Sequence, residues 1–226
     1  ETADWRDAVG RIETGLDPHT GLYEQFAGYH ALEQIDPAAY ANGPADVVLG
    51  RERIKQSQVL KQADIVALIA LQPDEFPGET AAVNFRHYEP RCAHGSSLSA
   101  GMHALVAARL GDTDMALRYL HRAAQADMQE DAASAGGVRI AGLGAVWQTV
   151  ILGFAGLDLG GDAIGVDPRL PPGWQALSFA VRWRGRDMRL RIVPGAVSVT
   201  ASEGPSLPVR VGSARKVVPG GTVLHW

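Results

Sequence analysis

Residues 177–192 read Leu177-Ser178-Phe179-Ala180-Val181-Arg182-Trp183-Arg184-Gly185-Arg186-Asp187-Met188-Arg189-Leu190-Arg191-Ile192. Leu177, Phe179, Val181 and Trp183 alternate with Ser178, Ala180, Arg182 and Arg184, and the same period returns in Met188, Leu190 and Ile192. Strands that bury one face show that period, because successive side chains point to opposite sides. The spacing predicts two half-buried strands joined by a turn at Gly185-Arg186-Asp187. Val197/Val199, Val209/Val211 and Val223 follow at short intervals, so the tail reads as a small antiparallel β domain. Its Arg-rich faces are read as solvated outer faces.

Working back from this stretch, the composition changes near Asp158, and everything upstream carries helical signals. Arg51 to Gln72 has the length of a helix, and its end, Ala63 to Leu71, is apolar on nearly every face, as in a helix surrounded by protein. Pro73 stops it. Ser97 to Leu110 reads as a second helix, with a Ser cap and Gly111 just past its end. Asp112 caps a third, Thr113 to about Met128, in which Met115, Tyr119 and Leu120 offer a buried stripe. A fourth runs from about Val138 to Phe154, where Gly142 and Gly144 would let a neighbour approach closely. Helices joined by short connections with no intervening strands predict helix-on-helix packing. The expected fold class is mainly α with a C-terminal β domain, divided as residues 1–160 and 161–226.

The balance of 21 Lys+Arg against 25 Asp+Glu gives a net charge of −4 and argues against a strongly basic nucleic-acid binder. Hydrophobic residues at 46% and charged residues at 20% place the chain among globular domains rather than disordered ones. Cys92 is the single cysteine, which excludes an internal disulfide and any Cys-rich zinc site and fits a reducing cytoplasm. No apolar run reaches the roughly 20 residues of a membrane span, and Glu1-Thr2-Ala3-Asp4-Trp5 has neither region of a signal peptide. No membrane role is expected. The chain opens without Met in a polar, helix-like stretch, and is expected to be the C-terminal piece of something longer.

Four constellations could carry chemistry. Lys61-Gln62-Ala63-Asp64 stands where the apolar helix begins; burying Lys and Asp there requires either a mutual ion pair or a wet cavity mouth. Tyr88-Glu89-Pro90-Arg91-Cys92-Ala93-His94-Gly95-Ser96-Ser97-Leu98-Ser99 is a loop running into a helix. Free N–H groups of Gly95, Ser96 and Ser97, with His94 and the Ser hydroxyls, would form an anion receptor, while plain capping by Ser96 or Ser97 explains the same residues. No Gly stands two residues after either Ser, so the run is no nucleophile elbow. Leu22-Tyr23-Glu24-Gln25-Phe26-Ala27-Gly28-Tyr29-His30 alternates aromatic and hydrogen-bonding groups, as packing or as a sugar cleft would. Gly142-Leu143-Gly144-Ala145-Val146-Trp147-Gln148 reads chiefly as close helix packing. The seven His residues are scattered, so no metal is expected, and no phosphate-binding glycine loop suggests a nucleotide cofactor.

Taken together and in this order, Leu22 to Phe26 with Gly28-Tyr29, Lys61 to Asp64, His94 to Ser99, and Gly136-Gly137 through Gly144, Trp147 and Gly153-Phe154 resemble the C-terminal part of glycoside hydrolase family 65. That family includes the inverting maltose, trehalose and kojibiose phosphorylases. Leu170-Pro171-Pro172-Gly173-Trp174 through Trp183-Arg184-Gly185 is similar to the opening of its C-terminal β domain. The resemblance implies the later helices of an (α/α)6 barrel in residues 1–160, then a small antiparallel β sandwich in 161–226. It implies that Lys61 and Gln62 hold the glucosyl unit, that His94, Gly95, Ser96 and Ser97 hold inorganic phosphate as co-substrate, and that no cofactor is needed. It also implies that the general acid lies upstream, so that this chain is catalytic only together with the N-terminal portion of the same enzyme. A homodimer is the assembly it suggests. Two other readings stay open: an inverting α-glucosidase, with Glu89 as the carboxylate activating water, and a non-catalytic carbohydrate-binding fragment.

Overall fold

The computed structural model describes residues 2–40, 44–95, 97–125, 128 and 138–226, with the Ser97 side chain excepted. Ser96 and Gly136-Gly137 therefore lie outside the described residues. The chain forms two compact units, Glu1–Ser99 and Ala100–Trp226.

In the first unit, α1 (Thr2–Arg11) buries no side chain, as its polar composition dictates. After 3-10 turns at Tyr29–Ala31 and Pro37–Tyr40 come the short helices α2 (Ala45–Val48) and α3 (Arg51–Lys55), then α4 (Asp64–Leu71) and α5 (Thr80–Tyr88). The continuous helix expected from Arg51 to Gln72 is broken between Lys55 and Asp64. Ser57 and Gln58 are buried there, at 4% and 2% exposure, and the backbone turns extended, with parallel bridges Glu33↔Ser57 and Leu60↔Cys92. The Gln58 amide supplies the reason. Its Nε2 donates to the carbonyls of His30 and Leu32 at 3.2 and 3.3 Å, and its Oε1 accepts from Arg91 Nε at 3.2 Å. A buried amide satisfied on both ends outweighs the local preference for helix.

Helix α4 packs against α5 and buries Ile65, Val66, Ile69 and Ala70. Leu68 and Leu71 stay exposed, so the helix is one-sided rather than surrounded. Asn84 of α5 is wholly buried; it accepts from Tyr23 N–H at 2.9 Å and donates to Gly21 and Thr80 carbonyls at 2.8 and 2.9 Å. This pins the Leu22–His30 stretch, whose Tyr29 is fully buried with its hydroxyl donating to Gln58 carbonyl at 2.8 Å. Tyr29 is a packing residue, while Phe26, Gly28 and His30 of the same stretch are exposed.

Helix α6 (Ser97–Leu110) begins in the first unit and continues into the second, where α7 (Thr113–Gln125) and α8 (Ile140–Gln148) follow. Asp112 Oδ1 accepts from Met115 N–H at 2.9 Å, the expected cap. The buried stripe of α7 is Ala116, Leu120 and Ala123, with Met115 and Tyr119 half-buried. Helix α8 runs on into a π-helical turn, Thr149–Phe154, where Thr149 Oγ1 donates to Ala145 and Gly101 carbonyls. Among the described residues, Gly101 and Gly153 permit close packing, and Gly142 is buried. A Cβ at Gly101 would stand 2.3 Å from Ala145 Cβ and one at Gly153 2.9 Å from Ala108 Cβ, whereas Gly144 faces open space.

Among the described residues, eight strands complete the second unit: β1 Leu157–Asp158, β2 Ile164–Val166, β3 Leu177–Trp183, β4 Arg186–Val193, β5 Ala196–Ala201, β6 Leu207–Val211, β7 Ala214–Val218 and β8 Val223–His225. They form two sheets, β1-β2-β6-β7 and β3-β4-β5-β8, sharing one apolar cluster. Ile164, Val166, Leu207 and Val209 enter it from one sheet and Met188, Leu190, Ile192, Val197 and Val199 from the other, with Ile151 and Ala155. The expectation of an antiparallel domain needs one correction: β2 pairs with β6 in parallel, so the first sheet is mixed. The β3–β4 turn falls one residue earlier than expected, at Arg184-Gly185, because Trp183 pairs with Arg186. Both turn residues have positive φ, 50° and 77°, the left-handed pair that matches the twist of a two-residue hairpin.

Candidate functional site

The residues singled out by sequence meet in the first unit, on a short parallel ladder. Leu60 N–H donates to Arg91 carbonyl at 2.9 Å, Ala93 N–H to Leu60 carbonyl at 2.7 Å and Gly95 N–H to Lys61 carbonyl at 2.9 Å. Alternate residues of paired extended segments face the same way. Leu60 and Cys92 turn inward, at 8% and 7% exposure, while Val59, Lys61, Ala93 and Gly95 together line a cavity of about 350 Å³ closed by Pro44, Ala45, Asp46 and Ile54. Its base is firm, because Ala45, Val59 and Tyr40 form a buried cluster on which Ile54 and Ala93 pack.

Lys61 and Gly95 are thus brought side by side. A Cβ at Gly95 would lie 3.1 Å from Lys61 Cγ, so the absent side chain is what lets the lysine stem lie across the loop. Two expectations change. Lys61 and Asp64 are exposed, and among the described residues no ion pair joins them; neither burial nor pairing accounts for this motif. The Gly95 amide is not free for an anion, since it is committed to the Lys61 carbonyl. Gln62 is exposed and Glu89 half-buried, and neither is among the described residues lining the cavity.

His94, next to Gly95, holds a left-handed backbone, φ 49°, a conformation that costs an L-residue roughly 1–2 kcal/mol. Its ring is fixed by Ser99 from the first turn of α6: Nδ1 lies 3.0 Å from Ser99 Oγ, which is 3.2 Å from Cys92 Sγ. Ser99 is 4% exposed. This Cys92–Ser99–His94 chain lies beyond motif reading; only the recurrence of Ser five residues after His hints at it. His87, in the last turn of α5, sets its ring edge-on to Tyr88 at 4.8 Å and to His30 at 5.4 Å. Burial, then the nearby charges of Arg91 and His30, pull its pKa down to about 4, and burial pushes the Tyr88 phenol up to about 12.

The Glycosyl hydrolase family 65 central catalytic domain matches residues 1–148, and the family's C-terminal domain matches residues 157–218. The chain belongs to glycosyl hydrolase family 65. Within this family, the chain is 32% identical over 203 residues to a kojibiose phosphorylase of Halothermothrix orenii, covering 88% of this chain and 26% of that protein. It is 32% identical over 217 residues to a 1,2-alpha-glucosylglycerol phosphorylase of Bacillus selenitireducens, covering 88% and 28%. A solved structure described as a kojibiose phosphorylase from the human microbiome superposes with a TM-score of 0.88 at 22% identity, over 99% of this chain and 34% of that one. That likeness establishes the family 65 fold. The chain spans about a quarter of the length of the curated relatives it matches. Among the described residues no helix is long and apolar enough to cross a membrane.

Proposed function

We propose that this chain is the later part of an inverting α-glucoside phosphorylase: residues 1–160 supply the last helices of an (α/α)6 barrel and 161–226 its β domain. Lys61 and Gln62 hold the glucosyl unit; His94, with Ser96 and Ser97, holds phosphate, while Gly95, its amide committed to the Lys61 carbonyl, carries the loop past the lysine stem. A phosphate oxygen attacks the anomeric carbon from the face opposite the glycosidic oxygen, the C1–O bond breaks, and β-glucose 1-phosphate leaves with inverted configuration. The leaving oxygen takes a proton from a general acid, which we assign to a part of the enzyme outside residues 1–226. We assign Ser99 as donor to His94 Nδ1 and Cys92 as donor to Ser99, the arrangement that leaves the imidazole proton on Nε2 as a donor to the phosphate.

The observation that carries this reading is the contact of Lys61 with Gly95 across the ladder, which sets a sugar-binding lysine beside the loop that would hold phosphate. The names of the relatives direct the first trials to kojibiose and glucosylglycerol. The test is incubation of the full-length enzyme, including the portion that carries the general acid, with these, maltose and trehalose, with and without phosphate, following the anomeric proton by NMR. β-Glucose 1-phosphate formed only with phosphate is expected. Free glucose at equal rates without phosphate refutes phosphorolysis.

A further inference from the structure

Two charged side chains line the 350 Å³ cavity, Lys61 and Asp46. Neither has a hydrogen-bond or ion-pair partner for its side chain among the described residues. Opposite charges sharing a cavity ordinarily close on each other unless separate rigid supports keep them apart. Here the supports are visible. Asp46 follows Ala45, which is held in the Tyr40–Val59 cluster, and Lys61 stands on the same face of the ladder as Val59, two residues on.

The remaining described lining is Pro44, Ala45, Ile54, Val59, Ala93 and Gly95: small or aliphatic, with no third charge among the described residues. An inorganic anion fits this space badly, because the Asp46 carboxylate opposes it. A pyranose fits it well. Each sugar hydroxyl both donates and accepts, a carboxylate can accept from two vicinal hydroxyls at once, an ammonium donates to ring or hydroxyl oxygens, and aliphatic walls suit the C–H faces. The volume lies within the roughly 300–1,000 Å³ of small-molecule sites.

We infer that Asp46 is a substrate-binding residue of this cavity, accepting two vicinal hydroxyls of the glucosyl unit opposite Lys61 and excluding phosphate from that position. The inference rests on the phosphorylase reading only for the choice of sugar. It divides the site electrostatically: neutral sugar between Asp46 and Lys61, phosphate on the His94 side of the loop.

The test is Asp46→Asn in the full-length enzyme, with the portion that carries the general acid, a nearly isosteric change at an exposed residue, with Asp46→Glu as the variant that keeps the carboxylate. Losing charge-assisted hydrogen bonds should raise KM for the disaccharide at least about ten-fold while KM for phosphate moves less than two-fold. Asp46→Glu should recover part of the loss. Donors lacking one glucosyl hydroxyl should be poor for the parent protein at the Asp46-bound positions yet scarcely worse than the intact sugar for Asp46→Asn, a convergence that general loosening of the fold would not produce. An unchanged disaccharide KM, or an equal rise in both KM values, overturns the inference. Should the parent show no phosphate-dependent turnover, the phosphorylase reading fails first, and calorimetric titration with glucose decides separately: weaker binding by Asp46→Asn sustains the Asp46 assignment, and equal binding overturns it.

Discussion

Replacing His94 separates what the residue costs the fold from what it does. At φ 49° the residue pays for a left-handed backbone, roughly 1–2 kcal/mol for a side chain bearing Cβ. Against this stands its hydrogen bond to Ser99 Oγ at 3.0 Å, a net contribution of about 0.5–1.5 kcal/mol. His94→Ala loses the bond and keeps the strain, so it should destabilise by about 1 kcal/mol. His94→Gly loses the bond and relieves the strain, but adds about 0.5–1 kcal/mol of unfolded-chain freedom. Its stability should therefore fall close to the parent's and about 0.5–1 kcal/mol above that of His94→Ala. Urea unfolding of the full chain with each variant reads the order directly. Activity should not follow the stability ranking: in the full-length enzyme both variants lack the imidazole, and both should raise the KM for phosphate by the same large factor. A glycine variant less stable than the alanine variant would refute the strained backbone. A phosphate KM unchanged in both would refute the role of the ring.

His87 gives the chain a pH-dependent component of stability. Its pKa is about 4 in the fold against roughly 6.5 unfolded, so as pH falls from about 6.5 the unfolded chain takes up the proton first. The contribution is complete above about pH 6.5 and is lost progressively down to about pH 4; His87→Gln should flatten that part of an unfolding-versus-pH curve, and an unaltered slope would exclude His87 as its source. Arg184→Asn converts the β3–β4 turn to Asn-Gly, which should relieve a left-handed Arg at the loss of its stacking over Trp183 at 4.3 Å. Cation–π stacking at an exposed site is worth about 0.5–1 kcal/mol, so the net effect should be a small gain in thermal midpoint; a clear loss would mean the stacking and the bond from Arg184 to Gly161 carbonyl dominate.

What the sequence discloses is what depends on neighbours along the chain. The alternation in Leu177–Ile192 is the direct image of β3 and β4, each burying one face, and Ser97–Leu110 between its start and Gly111 is α6. What it conceals is decided by residues far away. The break at 56–63 is dictated by Gln58, whose partners His30, Leu32 and Arg91 are 26 to 33 positions distant, so a window of local periodicity reads helix straight through it. The parallel β2–β6 pair likewise joins Ile164 to Val209 across an intervening sheet's worth of chain. The site divides in the same way. Lys61 and His94 are recognisable in their motifs, but their juxtaposition depends on the ladder between Leu60 and Cys92, which exists only because the helix fails at Gln58. Asp46 carries no motif at all; its place opposite Lys61 is set by Ala45 packing on Val59. A buried glutamine that interrupts a helix is therefore the step on which the cavity beside Lys61 and Gly95 depends, and that chemistry is absent from any reading of Lys61 and Gln62 alone.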